Sequence, residues 1–378
     1  MSRKPVVLIV DDNETQSSLQ QHLESSGTVT AKVLHPKDVE FDDLRQSDLV
    51  LVDFQLDNWP ERDELDQLSL QPSDGLALAA IFRRYAQESE KESPTAIAIL
   101  TGKIDKLASP LPYENREHAL AYLNNLEWVF QKAKPGKDPR LAVQVVDLSS
   151  AVTRLPPQWT GEGKQAMSQL AHLLSVDSQD SANERLLEDV DSCAPPIHEL
   201  SEWSHGLAVL RWMLHRILPF PCFLWNTHYL ASRLAIDHAA LVTAIARDKK
   251  LEQALKPAKY EGILSNFLGH RWWRSQIENW LWDLTEGHSG DPEVVRKQIN
   301  DLAKSNLPPS KPAVNPIVCV NSDYRPLEQF YSIDDSVRIR PDDWPPYADQ
   351  AWTTIELAKS EPKLRSLVLH EDKSRLKE

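Results

Sequence analysis

The chain has 378 residues, 41% of them hydrophobic, with 12 Trp, so it can fill sizeable cores and wholesale disorder is excluded. A formal net charge of −14 and a pI near 5.4 argue against a chain-wide nucleic-acid footprint or attraction to anionic lipid. Three scattered cysteines, Cys193, Cys222 and Cys319, give neither a zinc pattern nor a disulfide framework, and fit a reduced cytosol.

In chain order, the first 155 residues alternate short apolar runs with helical patterns. Strands are expected at VVLIV (6–10), TAKVL (30–34), DLVLVDF (48–54), TAIAIL (95–100) and EWVFQK (127–132). Their unbroken, β-branched character suits strands covered on both faces. Between them, ETQSSLQQHLESSG and DGLALAAIFRRYAQES carry apolar residues at helical spacing. Strands alternating with helices predict an α/β fold with a doubly wound parallel sheet of five strands.

Residues 156–196 shift toward Pro, Gly, Ser and Asp and read as a linker with short helices. Residues 197–305 are helical and Trp-rich, and 306–378 form a C-terminal extension with one strand candidate, PIVCV. Within 228–251 the spacing of LASRLAIDHAAL mimics a helix-turn-helix, but the turn lacks Gly and the face is poor in Lys and Arg, so DNA binding is disfavoured. The histidines of this region lack a His-Glu-x-x-His spacing, and no phosphate loop or serine elbow is present. No 18-residue apolar window exists, so the chain is expected to be cytoplasmic and not membrane-bound.

Polar residues gather where the strands end. Asp11 and Asp12 close the first strand, Asp53 the third, Thr101 the fourth and Lys132 the fifth. Ligands of doubly wound sheets bind at those carboxyl ends. Three convergent carboxylates repel one another, and oxygen ligands select Mg²⁺ or Mn²⁺. A hydroxyl and an ammonium at the same mouth would hold an anionic group carried by one carboxylate. The other acidic pairs, at 42–43, 334–335 and 342–343, follow no apolar run and read as solvated turns.

This ordered set resembles the receiver domain of two-component response regulators, over residues 1–155. The resemblance implies a flavodoxin-like fold and phosphorylation of Asp53 by a histidine kinase, a phosphotransfer protein or a small phosphodonor. Asp12 resembles the direct Mg²⁺ ligand, Asp11 the water-mediated one, and the Gln55 carbonyl the third protein ligand. Thr101 resembles the switch hydroxyl, with the Gly102 N–H nearby, and SDGLALA matches the Asp-Gly that opens the third helix. The phosphate counter-ion is Lys132 or Lys134. Lys134 precedes a proline as the family's lysine does, while Lys132 fits the strand end and is favoured by register. Three residues upstream of either lysine stand Val129 or Gln131, where the family carries an aromatic ring.

The expected activity is that of a phosphoacceptor signalling protein, not an enzyme in its own right. Residues 197–305 are expected to act by protein–protein interaction, with a second copy (a homodimer) or another protein partner; HRWWRSQIENWLWDL combines Trp and Arg, the residue types favoured at interface hot spots. The alternatives are a degenerate receiver serving as a non-phosphorylated interaction module, or a DNA-binding transcriptional regulator. The loop after Asp53 is longer than the family's and strongly acidic over 57–74, and is expected to project into solvent.

Overall fold

The computed structural model describes residues 3–376, apart from 14–16, 26, 58–71, 73, 89–92, 109–115, 133–139, 160–162, 199, 201–205 and 304–305. The chain divides into two compact units, and neither is a continuous stretch. The first comprises 1–177, 195–219 and 262–268; the second comprises 178–194, 220–261 and 269–378.

The first unit is built on strands β1 (Val6–Val10), β2 (Thr30–Leu34), β3 (Leu49–Asp53), β4 (Ala96–Thr101) and β5 (Trp128–Gln131). They pair in parallel in the order β2-β1-β3-β4-β5, the doubly wound flavodoxin-like order. The central strands β3 and β4 are buried at every residue, which is what their Leu, Val, Ile and Ala runs require. After α1 (Ser17–Ser25) and α2 (Phe41–Gln46), α3 (Gly75–Glu88) sets Leu78, Ala79 and Phe82 in one core with Leu8, Val10, Val50, Val52, Ile97 and Val129. A helix at Arg140–Arg154, not expected from the sequence, buries Val145, Leu148, Ala151 and Val152. Two further segments complete this unit. Phe267 sets its ring edge-on to Trp128 of β5 at 4.9 Å, and the Gln144 amide donates to the Phe267 carbonyl at 3.0 Å. Residues 207–217 are helical and end in a π turn, Met213–Ile217.

The expected linker carries helices at Lys164–Leu173 and Glu184–Ser192. The second unit is mainly helical, with helices at Thr227–Leu234, His238–Arg247, Lys249–Leu255, Arg274–Leu284 and Pro292–Ala303. The first of these ends at Ala235 in the left-handed region (φ 52°), a task the sequence reading reserved for Gly. PIVCV forms the strand Ile317–Val320, paired antiparallel with Pro326–Tyr331. Trp225 and Trp272 lie in the helical core, whereas Trp282 is 60% exposed; Trp203 lies outside the described residues.

Candidate functional site: an acidic triad at the carboxyl edge of the sheet

In this strand order the sequence direction reverses between β1 and β3, and the crevice that opens there is lined by whatever ends those two strands. Asp11 follows β1 directly and Asp53 is the last residue of β3. Carboxylate oxygens of Asp11, Asp12 and Asp53 all lie within 4.8 Å of one another. Asp11 and Asp53 are buried and Asp12 is half-buried.

Two contacts fix Asp11. The Asn13 N–H donates to its Oδ1 at 2.8 Å, an Asx turn that holds the chain as it leaves the strand. Its Oδ2 accepts from the Lys132 ammonium at 2.9 Å, and the same ammonium lies 3.0 Å from Asp53 Oδ1. Lys132 reaches this position because its own N–H continues the β4–β5 ladder, donating to the Thr101 carbonyl at 2.7 Å. Thr101 is buried, and its Oγ1 accepts from the Lys103 N–H at 3.0 Å. Lys134 lies outside the described residues.

Three carboxylates around one ammonium leave net negative charge in a largely buried site. Burial, together with the charge of Asp11, raises the Asp53 carboxyl to about 6, against the opposing pull of Lys132 and the Gln55 N–H. Burial alone would depress Lys132; hydrogen bonding and charge from Asp11 and Asp53 outweigh it and hold the ammonium above its ordinary range. The donor set is all hard oxygen, which fits a small divalent cation better than a soft one. Asp53, raised by burial and by the charge of Asp11, is the group such a cation would relieve.

The sequence reading missed the reason for Gly75. A Cβ built there would stand 2.1 Å from the Asp53 carbonyl oxygen and 3.0 Å from Phe54 Cα, so only glycine lets α3 start against the end of β3. The Gly75 N–H donates to the Phe54 carbonyl at 2.9 Å, and Asp74 Oδ1 caps the helix by accepting from the Ala77 N–H at 3.0 Å. Gln55 is bridged to Asp74 in the same turn. Of the acidic insertion expected to project into solvent, Asp57, Pro72 and Asp74 are described, and the rest of 57–74 lies outside the described residues.

A second charged cluster, also missed, lies at the opposite edge of the sheet. Glu127, just before β5, is fully buried and accepts from the Ile97 N–H, from Arg83 and from Arg211, whose Nε stands 2.8 Å from Oε1. Burial would raise this carboxyl, but the two guanidinium groups and the N–H hold it below the usual range. The visible signal was an acidic residue opening an otherwise apolar strand. Among the described residues, no helix is long and apolar enough to cross a membrane.

The fold and site therefore define an α/β unit of flavodoxin-like strand order with an acidic, oxygen-rich mouth able to hold a metal ion. No family model and no curated protein matches the chain. Among solved structures, the response regulator ChrA of a heme-sensing two-component system is similar at 14% identity, over 70% of this chain and 94% of that one, with a TM-score of 0.25.

Proposed function

We propose that the chain is a cytoplasmic response-regulator-like phosphoacceptor. The observation that carries the reading is the triad Asp11, Asp12 and Asp53 within 4.8 Å, joined by Lys132 at the carboxyl edge of a 2-1-3-4-5 sheet. An oxygen of Asp53 attacks the phosphorus of a phosphohistidine or small acyl phosphate, and the bond to the leaving nitrogen or oxygen breaks in line. Asp11, Asp12, Asp53 and the Gln55 carbonyl would hold Mg²⁺, which when bound supplies positive charge against the phosphoryl oxygens. The Lys132 ammonium, already between Asp11 and Asp53, serves as counter-ion to the transferred group. Thr101, whose oxygen accepts from Lys103, has its own O–H to donate to a phosphoryl oxygen.

The phosphoryl donor would be a histidine kinase or phosphotransfer protein, and the helical region would signal by binding protein. Acetyl phosphate or beryllofluoride with Mg²⁺ tests this: wild type should be labelled or shifted and Asp53→Asn should not. Equal behaviour of the two proteins sinks the reading.

One observation favours a second reading, a non-phosphorylated interaction module. The Lys132 ammonium already compensates two of the three carboxylates without a metal. Calorimetric Mg²⁺ titration separates the two, since absence of saturable millimolar binding supports the second.

A further inference from the structure

The second unit contains two cysteines whose positions are set by chain connectivity. Cys193 caps the helix Glu184–Ser192, one residue before the chain leaves this unit; Cys222 lies two residues after it returns at Phe220. The intervening residues, 195–219, belong to the first unit. The two thiols thus stand at the exit and re-entry points of one excursion, and they are hydrogen-bonded to each other.

Their surroundings are unequal. The Cys193 sulfur receives the Cys222 thiol and the Phe223 N–H, and lies 4.0 Å from the Ser192 oxygen, whose proton goes to the Asp189 carbonyl at 2.7 Å. Donors converging on one sulfur favour its thiolate, and the hydrogen bond from Cys222 is the largest influence lowering the Cys193 thiol. Burial, then Cys193 itself, pushes Cys222 the other way. Cys319 is also buried, but its sulfur meets the Ser336 hydroxyl at 3.3 Å and burial pushes its thiol up to about 11.

We propose that Cys193 and Cys222 are a redox dithiol that hydrogen peroxide converts to a disulfide, closing the loop 193–222 at its base. The Cys193 thiolate attacks one peroxide oxygen, the O–O bond breaks, and hydroxide leaves with a sulfenic acid formed on Cys193. The Cys222 sulfur then attacks that sulfenic sulfur, the S–S bond forms, and the hydroxyl leaves as water with the Cys222 proton. The departing hydroxide takes up the proton lost from Cys193, so two thiols lose two electrons and two protons and one hydrogen peroxide becomes two waters. Both cysteines are 2% exposed, so local opening around the Pro-rich turn at 219–222 sets the rate while hydrogen-bonded contact sets the pairing. The crosslink fixes both ends of the excursion that carries Arg211 and His215. This inference does not depend on the role given to Asp53.

Full-length protein is incubated with hydrogen peroxide, denatured in N-ethylmaleimide, digested without reductant and read by peptide mass spectrometry. The expected result is a Cys193–Cys222 crosslink in at least about ten-fold excess over either pairing with Cys319, reversed by dithiothreitol. Cys319→Ser should crosslink as wild type does, so the test does not rest on a variant that alters the pair. Urea-unfolded protein should give mixed pairings. The proposal is overturned if the folded protein keeps all three cysteines alkylatable, if Cys319 pairings are as abundant, or if Cys193 proceeds to sulfinic acid while Cys222 stays alkylatable.

Discussion

The two edges of the parallel sheet handle buried carboxylates in opposite ways. At the amino edge, Glu127 is met by Arg83, Arg211 and the Ile97 N–H, and Asp48 by Arg3 and the Val6 N–H at 2.9 Å. At the carboxyl edge, Asp11 and Asp53 share the one Lys132 ammonium, with Asp12 beside them. The consequence is visible in proton affinity: Glu127 is held below the carboxylate range and Asp53 is raised to about 6. A charge that is fully compensated fastens the fold, while one left short of partners is a place for chemistry or a ligand. The difference teaches that carboxylate count alone does not mark a site; the ratio of carboxylates to donors does.

The comparison breaks most severely at the amino edge. Glu127→Ala leaves two guanidinium groups facing each other across a vacated core position and should cost about 3–5 kcal/mol, measured by urea unfolding. Loss of less than about 1 kcal/mol would mean that the cluster does not fasten the unit.

His215 sharpens the same edge through pH. Its Nε2–H donates to the Glu127 carbonyl at 2.9 Å, and among the described residues its buried Nδ1 meets no partner that could accept a second proton. Burial lowers it from 6.5 to about 4. The folded state thus refuses a proton that the unfolded chain takes near pH 6.5, so the contribution is full above that pH and drains away as pH falls toward about 4. The loss should reach about 3 kcal/mol. His228, also lowered to about 4, adds a similar slope, so the measurement is the difference between wild type and His215→Gln, whose amide can still donate to Glu127.

At the carboxyl edge, Gly75→Ala tests the close approach of α3 to Asp53. A methyl 2.1 Å from a backbone oxygen must push the helix away, at about 2 kcal/mol by thermal unfolding. The same variant should weaken Mg²⁺ binding, because Asp53 moves with its strand end.

The smallest effect has the opposite sign. Because the folded-state value of Asp53, about 6, exceeds the ordinary 3.8, the ionised group costs stability above pH 6, and that cost is relieved as pH falls through 6 toward 3.8. With chelator present at pH 7.5, Asp53→Asn should therefore stabilise the protein by about 1 kcal/mol, reduced from the full shift because the site is partly open to solvent. Destabilisation on this substitution would place Asp53 with Glu127 as a fastening group.

The strands were the most legible part of the sequence. β1 and β2 fall on the residues expected, and β3, β4 and β5 lie within one residue of theirs. Continuous β-branched runs have few other ways to be buried. The triad could also be read, because in a parallel sheet every residue that ends a strand arrives at the same edge. Gly75 could be seen as a helix opener but not as a contact with Asp53, since that close approach depends on where α3 settles. Arg211 could not be paired with Glu127, because 84 residues separate them and neither carries a local pattern that names the other.

By itself, the sequence determined a five-stranded α/β sheet, its order along the chain and an acidic, lysine-bearing edge; periodicity and strand-end chemistry are local and survive without knowing the fold. Tertiary structure alone decided that 195–219 and 262–268 complete the first unit and that Glu127 becomes its compensated counterweight to Asp53. It also decided that Cys193 and Cys222 meet at the base of an excursion. These facts depend on which distant surfaces bury one another, and burial is a property of the assembled core that no single stretch of chain encodes.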